Sequence, residues 1–105
     1  MNLMTPAQAT RFINANAKSN KFNLVFTLHI GDRLDERDLV MRDLLYLLET
    51  GFVYDDGKES TQAGIFKYLI EGTTPNSGGR QLAAVVVPFP SGDLKVVTIM
   101  WKDEK

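Results

Sequence analysis

Apolar positions change their rhythm at Gly51: upstream they recur at helical spacing, downstream they alternate or run together as in strands. Ala9, Phe12, Ile13 and Ala17 fall at i, i+3, i+4 and i+8, one face of a helix. Thr5-Pro6-Ala7-Gln8 starts that helix, with a capping hydroxyl, a proline suited to the first position and a glutamine that completes a capping box. The pattern fades at Lys18-Ser19-Asn20. The run FNLVFT (22–27) favours extended structure, either a strand or a lead-in to the next helix. Val40, Leu44, Leu47 and Leu48 form another helical stripe, widened by Met41 and Leu45. Asp38 is its expected N-cap and Gly51 its C′ residue, while Arg42, Asp43 and Glu49 point away from the stripe.

After Gly51 the pattern predicts strands over 52–56, 64–71, 81–89 and 94–102. The segment 58–63 is polar and reads as a loop, and GTTPNSGG (72–79) is the most turn-rich stretch. QLAAVVVPF (81–89) is almost wholly apolar, as expected of a central strand buried on both faces. Strands joined by short turns become antiparallel neighbours. The expected fold is therefore α+β, in one domain over 1–105. Two or three N-terminal helices pack on one antiparallel sheet of about four strands. The expected core contains Phe12, Leu34, Leu44, Leu48, Val85, Val87, Val97 and Ile99.

Composition narrows the chemistry. The chain has 105 residues, 13 acidic and 12 basic side chains and a net charge of −1, without the positive excess usual in proteins that grip nucleic acid. Absent cysteine excludes disulfides and thiolate chemistry, and a single histidine excludes a multi-histidine zinc site, so neither cofactor nor metal is expected. No apolar run is long enough to span a membrane and no secretory leader is evident. The expected location is the cytoplasm.

One stretch gathers candidate chemistry. His29, Arg33 and Arg37 are four residues apart, and on a helix each step of four displaces a side chain by roughly 40° along one face. Ile30 and Leu34 would seat that helix, starting at Leu28 or His29, on the core. Cleavage of RNA without a metal needs a proton acceptor, a proton donor and cations around the phosphorane. Histidine is the usual acid or base near neutral pH, and paired guanidinium donors match phosphate oxygens. Lys67 and Thr98 add a cation and a hydroxyl if their strand faces point at the same helix; Tyr68 and Trp101 are candidates for base stacking. Asp32, Asp35 and Glu36 stand beside the stripe, so a solvated helix face is the plainer alternative.

The spacing H-x3-R-x3-R (29–37), followed by a helix, Gly51, the run GRQLAAVVV (79–87) and VVTI (96–99), resembles domain-of-unknown-function family 4258. The resemblance covers roughly Leu24 to Trp101 and leaves the first helix outside. It implies the fold of RelE/ParE-type toxins, small α+β proteins of toxin–antitoxin pairs, some of which cleave RNA. Expected partners are then RNA or the ribosome, an antitoxin-like protein, or a second copy of the chain. If the chain is an enzyme, it is expected to be a metal-independent endoribonuclease. The competing reading is a non-catalytic interaction module that associates through an exposed sheet edge.

Overall fold

The computed structural model describes residues 2–19 and 23–104. Phe22, the first residue of the extended run at 22–27, therefore lies outside the described residues. Helix α1 runs Pro6–Lys18 and starts as its sequence dictates. Gln8 N–H donates to Thr5 Oγ1 at 3.2 Å, and Thr5 N–H donates to Gln8 Oε1 at 2.9 Å. Ala9, Ile13 and Ala17 are buried, but Phe12, expected in the core, is only half-buried. The other helices are α2, Ile30–Glu36, and α3, Met41–Thr50.

Both ends of α3 differ from expectation. Its N-cap is Val40, and Asp38 instead takes a left-handed turn with φ 55°, a conformation aspartate tolerates better than most residues. The free N–H of Val40 is met from inside the helix by Asp43 Oδ2 at 2.9 Å. Gly51 is the C-cap in extended conformation (φ −72°, ψ 173°), so glycine is required there for space rather than for left-handed geometry. A Cβ at Gly51 would sit 2.6 Å from the Leu47 carbonyl oxygen and 2.8 Å from Ile70 Cγ1. Gly51→Ala should destabilise the fold by about 1–3 kcal/mol through this overlap, read as a lower urea midpoint. An unchanged midpoint would mean that α3 and the strand bearing Ile70 part easily.

Among the described residues six strands follow, β1 (Leu24–Phe26), β2 (Phe52–Val53), β3 (Lys58–Glu59), β4 (Phe66–Gly72), β5 (Leu82–Pro88) and β6 (Leu94–Trp101). The sheet order is β1-β6-β5-β4-β2, with β3 pairing on β4. The α+β class stands, but the sheet is mixed and six-stranded, not antiparallel with about four strands. β1 lies parallel to β6, with Leu24 opposite Leu94 and Phe26 opposite Val96. Strand 52–56 shortens to two residues, and part of the predicted loop at 58–63 is recruited as β3, with Lys58 opposite Lys67.

β5 is central and buried on both faces, as its unbroken apolar run requires. A bulge between Val85 and Val86 pairs Val85 with Thr98 but Val86 with Val96, leaving Val97 as the extra residue. Val86 and Val96 consequently fill the core, while Val85 and Val97, both expected there, are half-buried. Leu34, Leu44, Leu48, Val87 and Ile99 are buried as expected. One apolar cluster joins all three helices to a single face of the sheet through Ile13, Ile30, Leu34, Leu48, Ile70 and Val86, among others.

Asp43, expected to point away from the apolar stripe, is fully buried. Its Oδ1 accepts from Asn76 N–H and its Oδ2 from the Asn76 side-chain amide and from Val40 N–H, all at 2.9–3.0 Å. This carboxylate ties the start of α3 to the glycine-rich turn after β4. Burial pushes its pKa upward, but the hydrogen bonds from Val40 and Asn76 outweigh that and hold it below the usual carboxylate value. No helix among the described residues is long and apolar enough to cross a membrane.

Candidate functional site

The site begins where β1 hands over to α2. Thr27 N–H donates to the Val96 carbonyl at 3.2 Å and its hydroxyl to the Val97 carbonyl at 2.7 Å. Ile30 N–H then returns to the Thr27 carbonyl at 3.3 Å, and this turn launches α2. His29 is the N-cap, without a side-chain capping bond. Since Ile30 and Leu34 are buried, the 40° drift per four residues swings the stripe inward along the helix. The His29 side chain is 69% exposed and Arg33 is exposed, but the Arg37 side chain is only 8% exposed.

That gradient separates the three residues by role. His29 Nδ1 is 3.9 Å from Asp32 Oδ2, an open surface pair of little energetic weight. Arg33 points to solvent. Arg37 donates from Nη1 to the Arg33 carbonyl at 2.8 Å and grips Glu104 with both forks, Nε to Oε1 at 3.1 Å and Nη2 to Oε2 at 2.5 Å. Glu104 Oε1 also accepts from Trp101 N–H at 3.1 Å, closing the turn beyond β6. The Arg37 guanidinium first, and the Trp101 N–H second, hold the Glu104 carboxyl below its ordinary value.

The same turn carries a second arginine. Arg80 Nη2 donates to Asp103 Oδ1 at 2.8 Å, and its guanidinium carbon lies 4.2 Å from the centre of the Trp101 ring. Arg80 lowers the Asp103 carboxyl by that hydrogen bond, and its charge also acts on Glu104. Arg80 was not singled out from sequence as a site residue. The usable signal was the antiparallel register: Leu82 lies opposite Trp101, and counting outward two residues on each strand sets Arg80 against Asp103.

Lys67 and Thr98 go elsewhere. Thr98 pairs with Val85 and Val85 with Leu69, whereas their neighbours Ile99, Ala84 and Ile70 belong to the core. Strand alternation therefore puts Thr98 and Leu69, with Lys67 two residues before, on the face opposite the one that seats α2. Lys67 stands between two grooves on that face. One, of about 530 Å³, is lined by Asp55, Lys58, Leu69 and Met100; the other, of about 250 Å³, by Ser60, Phe89, Lys95 and Val97. Of the stacking candidates, Tyr68 is buried with its hydroxyl accepting from Met4 N–H at 2.9 Å, while Trp101 remains partly open.

The model of a family described as a domain of unknown function, DUF4258, matches residues 26–101. The chain belongs to this family. In this DUF4258 domain the matched span takes in His29, Arg33, Arg37, Arg80 and Trp101 and leaves α1 outside. No curated protein and no solved structure matches the chain.

Proposed function

We propose that this DUF4258 domain is a toxin-like module, akin to RelE/ParE-type toxins, that binds RNA along the seam between α2 and the end of β6. The observation supporting this reading is that Arg37 and Arg80 both engage the turn that follows Trp101, at the end of the helix whose exposed residues include His29 and Arg33, in a chain that has five arginines and one tryptophan. His29, Arg33 and Arg80 are exposed, and His29 and Arg33 make first contact with phosphate; from His29 to Arg37 the helix spans roughly 12 Å. Cleavage by transesterification is the further step of this reading. His29 would take the 2′-hydroxyl proton, the 2′-oxygen would bond to phosphorus to give a 2′,3′-cyclic phosphate, the 5′-oxygen would leave with a proton from water, and Arg33 would hold the phosphate oxygens as charge builds.

Arg33→Ala should weaken binding of a single-stranded RNA about fivefold at low salt and lower the salt-dependence slope by about 0.7, the share of one phosphate contact. His29→Ala should abolish any cleavage while leaving most of the affinity. Fluorescence anisotropy and gel assays check both. Equal affinity and an equal slope in the parent and Arg33→Ala proteins would overturn the reading.

A second reading has its own observation. β1 is an end strand of the sheet, and Val25, Phe26 and Leu28 are exposed there, Leu28 at 90%. Asn23 carbonyl and Thr27 N–H bond to β6, so by alternation the backbone of Leu24 and Phe26 faces outward. At the other end, Val53 N–H of β2 is already taken by Thr10 Oγ1 at 2.8 Å. A β1 edge that accepts a strand from an antitoxin-like protein or a second copy fits the interaction-module reading. It expects association seen by light scattering and indifferent to Arg33.

A further inference from the structure

We propose that Arg37, Arg80 and Trp101 form a nucleotide subsite, two guanidinium groups for a phosphate and an indole for a base, which Asp103 and Glu104 occupy as an internal anion. The inference rests on the RNA-binding reading and extends it to the control of that site.

The chemistry of the two arginines leads there. Arg37 presents Nε and Nη2 to both oxygens of one carboxylate, the fork that also grips two oxygens of a phosphate. Arg80 engages the adjacent carboxylate and lies over Trp101. Two neighbouring carboxylates carry a charge close to that of a phosphate monoester, so Asp103 and Glu104 satisfy the same donors a 5′-phosphate would. The Arg80 guanidinium lies over the Trp101 ring, and a base can replace or extend that stack.

Asp103 is the part of the occupant held loosely enough to be exchanged first, while Glu104 is held by the paired donors of Arg37. Asp103 is exposed, and exposed ion pairs contribute little after side-chain ordering and screening by salt. Beyond the two arginines, the turn is closed by Glu104 N–H to the Trp101 carbonyl at 3.0 Å and by Trp101 N–H to the Glu104 carboxylate. A phosphate that takes over Arg80 first loosens Asp103, and then competes for Arg37. This arrangement also bears on the slight acidity of the chain. The two arginines are masked from within, so net charge understates the cationic character of the opened seam.

The test uses the full chain carrying Asp103→Asn and Glu104→Gln, which keep shape and acceptor oxygens but remove the charge. Trp101 is the single tryptophan, so its fluorescence reports the subsite directly. A short single-stranded RNA with a 5′-phosphate should bind the double variant roughly tenfold more tightly than the parent, with a change in Trp101 emission. Adding Arg80→Ala to the double variant should remove that gain. A control with Asp56→Asn and Glu59→Gln, exposed carboxylates at and before β3, changes net charge equally and should gain much less.

Equal gains in the control and the double variant would overturn the subsite, as would a gain that survives Arg80→Ala. Should the double variant lose its cooperative thermal unfolding, Asp103→Asn alone, at an exposed position, carries the same test with a smaller expected gain. If the parent and all variants ignore RNA, the RNA reading falls, and inorganic phosphate still examines the seat. Arg80-dependent quenching of Trp101 by phosphate in the double variant supports it, and no quenching refutes it.

Discussion

Asp43→Asn should cost the fold about 3 kcal/mol, although it changes one oxygen to an amide nitrogen and leaves the volume unchanged. Both carboxylate oxygens of Asp43 are acceptors: Oδ1 for Asn76 N–H, Oδ2 for Val40 N–H and the Asn76 side-chain amide. An asparagine keeps only one acceptor. Its amide group must face at least one donor across a dry contact, and a buried donor left unmet costs about 1–3 kcal/mol. Losing the charge also weakens the bonds that remain, because charge-assisted hydrogen bonds are the stronger kind. Urea unfolding at neutral pH measures the difference, and a loss below about 1 kcal/mol would show that the turn at Asn76 rearranges to save the bonds.

The same residue predicts a pH dependence. Its folded pKa is lowered from the ordinary 3.8. Its contribution is therefore fully present above that value and is lost as pH falls below it through the lower folded value. The parent should keep its advantage over Asp43→Asn at neutral pH and lose it progressively in acid, measured as paired unfolding curves.

Leu48→Ala should cost about 2–5 kcal/mol. Leu48 is fully buried in the cluster that α3 shares with α1 and the sheet. Its backbone is fixed as well, since the Asn14 side-chain amide donates to the Leu48 carbonyl at 2.7 Å. A helix anchored there cannot slide inward to fill the gap, so the cavity persists and the loss should fall in the upper half of that range. Met41→Ala, on the exposed side of the same helix, should change little. A Leu48→Ala loss below about 1 kcal/mol would mean that the neighbours collapse onto the site.

What the sequence by itself determined is what neighbours in the chain decide. The capping box at Thr5 and Gln8 acts over three residues, the stripe of Leu44, Leu47 and Leu48 over two turns, and the apolar run of β5 marks a strand buried on both faces wherever its neighbours lie. The α+β class, the helices before Gly51, expected as two or three, and the strand-rich second half follow from such local terms. The His29, Arg33 and Arg37 spacing was likewise legible, but not that Arg37 turns inward.

Tertiary structure decided the contacts made by residues far apart in sequence. β1 pairs parallel with β6 across about 70 positions, and such a pairing leaves no local periodicity. Asp43 looks like a surface acid within its helix, and only Asn76, 33 residues away, makes its burial tolerable. Arg37 found Glu104 at a separation of 67, and the drift of the helix relative to the core chose that residue of the stripe rather than His29 or Arg33. Lys67 and Thr98 were separated from the stripe by strand alternation, which assigns each side chain to one face only after register is fixed, and the bulge at Val85 shifted that register. Local propensity carries no information about a partner that arrives only when the chain closes, so the masking of the arginine seat by Asp103 and Glu104 could be read only from the folded chain.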